Sequence, residues 1–124
     1  MPKKPRILVV DDNVDFCQNM ADILELEAYE VVTVNDGAKA LELVKQSDFD
    51  AVLMDIMMPD IDGYTVCYII KKNQATATVP VLMVTGVGHE LNKKLAEEIG
   101  ADGYITKPVA TDELFRMLER ALVK

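Results

Sequence analysis

Asp11 and Asp12 follow directly on a short apolar run, and Asp55, Thr85 and Lys107 each stand at the end of an apolar run of their own. A lone aspartate in such a place is usually a helix cap or a turn residue, because its carboxylate accepts from nearby backbone N–H groups. Capping alone does not account for an acidic pair, a third acid, a hydroxyl and a lysine that all occupy run ends. If folding gathers Asp11, Asp12 and Asp55, their like charges repel and require something positive among them. A hard divalent cation with oxygen ligands meets that need, and Lys107 meets part of it. Mg²⁺ is expected, since it commonly binds through one or two carboxylates with water and phosphate oxygens completing its shell. The D-x-D-x-D-G-x₅-E spacing of a calcium loop is absent.

The elements that must position these residues are visible as periodicity. Ile7 to Val10, Val31 to Val34, Ala51 to Met54, Val81 to Val84 and Gly103 to Thr106 are short runs without polar alternation, the pattern of strands buried on both faces. Between and after them, apolar residues recur three and four apart: Phe16, Met20, Ile23 and Leu24; Leu41 and Val44; Val66, Ile69 and Ile70; Leu91, Leu95 and Ile99; Leu114, Met117, Leu118, Ala121 and Leu122. Each set predicts a helix with one apolar stripe, and the fourth helix is expected to be the least firmly held. Strand and helix alternating in this way predict an α/β fold, a doubly wound (βα)5 arrangement with a five-stranded parallel sheet, right-handed crossovers and helices on both faces. Ligands of such sheets bind beyond the carboxyl ends of the strands, where the five chemical residues all fall.

With 124 residues, the chain has room for one domain, expected over 1–124 with 1–5 as a flexible tail. Its 21 acidic residues against 13 basic ones give a formal charge of −8 without a basic run, which argues against direct nucleic-acid binding. No apolar stretch is long enough to span a bilayer, and Ile7 to Val10 is too short for a signal-peptide core. Cys17 and Cys67 lie in helical patterns outside any metal or disulfide spacing, so both are expected as buried small hydrophobes in a reducing cytoplasm. His89, the single histidine, is expected on the surface.

In order and spacing, Val9-Val10-Asp11-Asp12-Asn13, Asp55-Ile56-Met57-Met58-Pro59-Asp60-Ile61-Asp62-Gly63, Val84-Thr85-Gly86 and Tyr104-Ile105-Thr106-Lys107-Pro108 resemble the signature of the response-regulator receiver domain, a flavodoxin-like fold. The resemblance extends from Ile7 to Leu122. It implies that Asp55 accepts a phosphoryl group from a histidine kinase or histidine phosphotransfer protein. It also implies that Asp11, Asp12, Asp55 and the Met57 backbone carbonyl serve Mg²⁺, with Asp11 acting through bound water, and that Lys107 and Thr85 contact the phosphoryl group. Thr85 and Tyr104 are implied as a switch that reshapes the face of the fourth helix, fifth strand and fifth helix, where a downstream protein would dock. A cis Lys107-Pro108 bond is implied as well.

The resemblance makes this a signalling module and not an enzyme. Met57 and Val87 put apolar side chains where the family often places groups that modulate phosphoryl lifetime, so slow self-dephosphorylation is expected. An aspartyl-nucleophile phosphatase or phosphotransferase is the first alternative, but it needs an acid two residues after Asp55, where Met57 stands. An FMN-binding flavodoxin-like protein is the second, and Asp11-Asp12 would repel its phosphate.

Overall fold

Side chains alternate across a β-strand, and in the central strands here that period of two divides the core into two layers. The computed structural model describes residues 3–86 and 93–123. Strands β1 (Arg6–Val10), β2 (Glu30–Val34), β3 (Ala51–Asp55), β4 (Val81–Thr85) and β5 (Gly103–Thr106) alternate with helices α1 (Val14–Leu26), α2 (Gly37–Gln46), α3 (Gly63–Lys72), α4 (Lys93–Glu98) and α5 (Thr111–Leu122). On one face, Leu8, Val10, Val52, Met54, Val81 and Met83 meet Ala40 and Val44 of α2, Val66, Cys67 and Ile70 of α3, and Ile99. On the other, Ile7, Val9, Ala51, Leu53, Leu82, Val84 and Ile105 meet Cys17, Met20 and Leu24 of α1 and Leu114 and Leu118 of α5.

The sheet is parallel with strand order β2-β1-β3-β4-β5. The expected α/β fold is therefore present, with helices on both faces. One expectation needs correction. Burial on both faces holds for β1, β3 and β4, but β2 and β5 are edge strands and carry exposed positions at Glu30, Thr33, Tyr104 and Thr106. An edge strand has a neighbour on one side only, so part of each of its faces meets solvent.

Side-chain caps start three of the helices. Asn13, Asp36 and Asp62 accept from the backbone N–H groups of Phe16, Lys39 and Thr65, satisfying donors that the first helical turn leaves without partners. Asp36 and Asp62 thus cap helices, as a lone aspartate usually does, whereas Asp11, Asp12 and Asp55 cap none of the described helices. Helix α4 is short. Of the expected fourth stripe, Leu95 and Ile99 pack on the core, and Leu91 lies outside the described residues.

At the amino ends of the strands a different ionic group fixes the loops. Lys71, in the last turn of α3, pairs with Asp102 at 2.7 Å and donates to the Val79 carbonyl at 2.7 Å, while Asp102 accepts from the Val81 N–H. Helix α3, the start of β4 and the turn before β5 are tied to one another there.

Candidate functional site

The chain places β2 on one side of β1 and then β3 on the other, so winding reverses between β1 and β3. That reversal opens a crevice at the carboxyl ends of the two strands. Val10 is in register with Met54, which sets Asp11 and Asp55 side by side at its mouth. Ladder bonds carried past the strands hold the neighbourhood in place: the Asp11 N–H donates to the Val34 carbonyl, Ile56 to Val84, and Lys107 to Thr85. Gly63 lets the loop after β3 close. A Cβ there would stand 2.9 Å from the Asp55 carbonyl carbon and the Ile56 Cα, and nearer still to the Asp55 carbonyl oxygen.

One carboxylate oxygen from each of Asp11, Asp12 and Asp55 lies within 4.8 Å of the others. Asp11 is fully buried and Asp55 is 4% exposed, whereas Asp12 is open to solvent. The Lys107 ammonium donates to Asp11 Oδ2 at 2.7 Å and stands 3.7 Å from Asp55 Oδ1. The second oxygen of Asp11 accepts from the Asn13 N–H at 2.8 Å. Peptide bond Lys107-Pro108 is cis, as the family resemblance implied.

Burial is the largest influence on Asp55 and, with the negative charge of Asp11, pushes its carboxyl up to about 6. Lys107 and the Met57 N–H oppose that rise without cancelling it. For Lys107, burial works against the ammonium, but the Asp11 hydrogen bond and the surrounding carboxylates outweigh it and leave the lysine above its ordinary value. Three carboxylates face one ammonium at this rim, and every candidate ligand atom is a hard oxygen. Such a donor set fits a hard divalent cation, whose charge removes the remaining repulsion.

Thr85 ends β4 and is 3% exposed, while Tyr104 on β5 is 40% exposed. Met83 is the register partner of Tyr104, and Thr85 lies two residues beyond Met83, so Thr85 and Tyr104 share a face of the sheet. Met57 is 53% exposed. Val87 and His89 lie outside the described residues.

Three residues that sequence reasoning did not place at the site are there. Phe16, expected only as part of the α1 stripe, sets its ring 4.2 Å from the Lys107 ammonium. Asn35 donates to the Asp11 carbonyl at 3.0 Å, and Cys17, buried as expected, donates its thiol to the same oxygen. The contacts of Phe16 and Asn35 join segments far apart in the chain and leave no local signal, while that of Cys17 spans six residues and is masked by its place in the α1 stripe. A cavity of about 610 Å³ opens elsewhere, between Lys4, Phe49, Pro80 and Leu122 at the amino ends of the strands, and includes none of the acidic trio.

The pattern described for the response regulator receiver domain matches residues 7–119. Over 120 residues the chain is 37% identical to the DNA-binding dual master transcriptional regulator RpaA of Synechocystis sp., covering 97% of this chain and 49% of that protein. It is equally similar, 37% over 116 residues, to the sensory transduction protein RegX3 of Mycolicibacterium smegmatis, covering 94% and 50%. The chain spans about half the length of these curated relatives. Among solved structures, a CheY-like response regulator receiver domain protein from Methanospirillum hungatei superposes with a TM-score of 0.88 at 31% identity, covering 96% of this chain and 94% of that one. Chemotaxis protein CheY4 of Vibrio cholerae gives 0.87 at 28%, covering 96% and 99%. With its acids gathered at the crevice of a doubly wound sheet, the chain belongs to the response regulator receiver domain family, the phosphoacceptor modules of two-component signalling.

Proposed function

We propose that Asp55 is the phosphoacceptor and that a phosphohistidine on a histidine kinase or histidine phosphotransfer protein is the donor. An Asp55 carboxylate oxygen forms a bond to phosphorus as the donor's P–N bond breaks, its electron pair returning to the imidazole. One observation carries this reading: Asp55 closes the central strand, buried, beside two further carboxylates and within 3.7 Å of the Lys107 ammonium. A buried carboxylate is poorly solvated and so better placed to attack than one in water.

Asp12, Asp55 and the Met57 carbonyl are assigned to direct Mg²⁺ contact. Asp11 is assigned a contact through water, because Lys107 and the Asn13 N–H already occupy its two oxygens. When bound, Mg²⁺ supplies the positive charge that neutralises the acids and the incoming phosphoryl oxygens. Lys107 adds a second positive charge, and the buried Thr85 hydroxyl donates to a phosphoryl oxygen. Motion of Thr85 then draws the half-exposed Tyr104 inward and alters the surface of α4, β5 and α5, to which a target protein binds.

The domain acts on itself and is not a turnover enzyme. Met57 occupies the position from which a phosphatase of the aspartyl class would protonate its leaving group, and its thioether holds no such proton. A net charge of −8 turns this domain away from direct contact with nucleic acid. Among the described residues no helix is long and apolar enough to cross a membrane, and the two buried free thiols suit a reducing cytoplasm. The proposed domain occupies 1–124, and any DNA-binding output like that named for RpaA would lie in a separate part of a longer protein.

Incubation with acetyl phosphate or phosphoramidate and Mg²⁺, followed by intact mass, tests the assignment. One added phosphate is expected, lost in Asp55→Ala and on chelation. An adduct that survives Asp55→Ala would move the acceptor elsewhere, and rapid turnover of a phosphate monoester would restore the phosphatase reading.

A further inference from the structure

Lys107 is held by more than its two acids. Its ammonium lies over the ring of Phe16, 4.2 Å from the centroid, on the side of the site formed by α1. The backbone that carries the ring is itself fixed. The Phe16 N–H donates to the capping oxygen of Asn13 at 3.0 Å, and the Asn13 N–H donates to Asp11 Oδ1 at 2.8 Å. Since Asp11 Oδ2 accepts from Lys107, the contacts close a circuit that runs from Asp11 through Asn13, Phe16 and Lys107 back to Asp11. Phe16, partly buried, also packs against the core layer that holds Cys17, Met20 and Leu114, which restricts its ring.

An ammonium on a flexible four-carbon stem has many rotamers, and one hydrogen bond leaves it free to pivot. The ring face adds a second, differently directed attraction in a partly desolvated place, where a cation–π contact is at its strongest. Pivoting toward solvent would forfeit the ring, and pivoting toward Asp55 would stretch the bond to Asp11.

We propose that Phe16 is a positioning residue for phosphoryl transfer, its ring holding the Lys107 ammonium at the mouth of the site so that it meets the incoming phosphoryl group without rearrangement. The proposal rests on the assignment of Asp55 as phosphoacceptor. The ring touches neither the phosphorus nor its oxygens and acts only through the lysine. Its contribution follows the electrostatics of the face, strongest for tryptophan and absent for leucine.

The experiment compares the full chain with Phe16→Leu, Phe16→Tyr and Phe16→Trp, each first checked for cooperative thermal unfolding. Phosphorylation by phosphoramidate with Mg²⁺ is followed by intact mass, and the Lys107 side-chain protons are followed by NMR in metal-free protein. Phe16→Leu is expected to phosphorylate about three- to tenfold more slowly, with the two aromatic variants near the parent rate. The Lys107 ε-proton signals are expected to lose their ring-current shift in the leucine variant alone. Equal rates in Phe16→Leu and the parent would overturn the proposal while leaving Asp55 in its role, as would equal slowing in all three variants. No adduct on the parent chain would overturn both readings together.

Discussion

The Lys107 ammonium stands an ångström closer to Asp11 than to Asp55, at 2.7 Å against 3.7 Å. The lysine is therefore anchored chiefly by Asp11 and not by Asp55, the proposed phosphoacceptor. Lys107→Met should leave the fully buried Asp11 without its cation, beside two like charges. In EDTA the loss is expected to be on the order of 2 kcal/mol by urea denaturation, with added MgCl₂ recovering most of it. An unchanged midpoint would show that the pair contributes nothing to stability.

Acidity at Asp55 gives a prediction with a definite sign. Its folded-state value of about 6 lies above the ordinary 3.8, so between those limits the folded protein holds a proton that the unfolded chain does not. The stability from that proton is complete below the ordinary value and lost as pH rises through about 6. Metal-free protein should accordingly gain on the order of 1–2 kcal/mol when pH falls from 7 to 5. Asp55→Asn should flatten that slope and raise the midpoint at pH 7. A slope of the same size in the variant would assign the effect to another group.

Gly63→Ala presses a methyl group into the backbone of Asp55 and Ile56, neither of which can rotate aside. A destabilisation on the order of 2 kcal/mol or more is expected, together with weaker Mg²⁺ binding, because the loop that carries Met57 is displaced with it. Thermal unfolding and Mg²⁺ titration by calorimetry measure the two effects. Parent-like values for both would remove the close approach from the account.

Cys17 and Cys67 are buried, and desolvation raises each thiol to about 11. At neutral pH only about one molecule in ten thousand carries either thiolate. Reaction with an aromatic disulfide reagent should be slow in native protein and should release two equivalents at once in guanidinium chloride. Fast labelling of one thiol under native conditions would show that its layer of the core opens readily.

Met57 places an exposed apolar side chain two residues after Asp55. A thioether cannot orient a water for attack on phosphorus, so the phosphorylated protein should be long-lived, and Met57→Asn should shorten its lifetime several-fold. Loss of phosphoryl label from the two proteins, measured side by side, decides the point. Equal rates would sink the idea.

The acidic trio was legible because Asp11, Asp12 and Asp55 end runs whose apolar character marks them as strands, and strand ends in a doubly wound sheet meet at one rim. Central burial was legible for the same reason. The exposure of β2 and β5 was not, since Val31 to Val34 and Gly103 to Thr106 look locally like the inner strands and only the strand order places them at the edges. Phe16 was hidden differently. Its spacing to Met20 satisfies a core stripe, and its second contact, with Lys107, joins α1 to the end of β5 and depends on the strand order of the whole sheet. A short-range pattern can announce which residues are polar at a strand's end, but not which ring a distant cation will cover.

Asp55 sits on a strand with a hydrogen-bonded neighbour on each side, and Tyr104 sits on one that has a neighbour on a single side. Displacing the first strand breaks two ladders, whereas displacing the second breaks one. Sensitivity and chemistry are thereby carried by parts of unequal stiffness. With Asp55 as the proposed acceptor and Tyr104 on the proposed output face, substitutions around β5 and α5 should shift the threshold at which the domain responds and leave the acceptor intact, so a lineage could retune its response there without rebuilding the reaction.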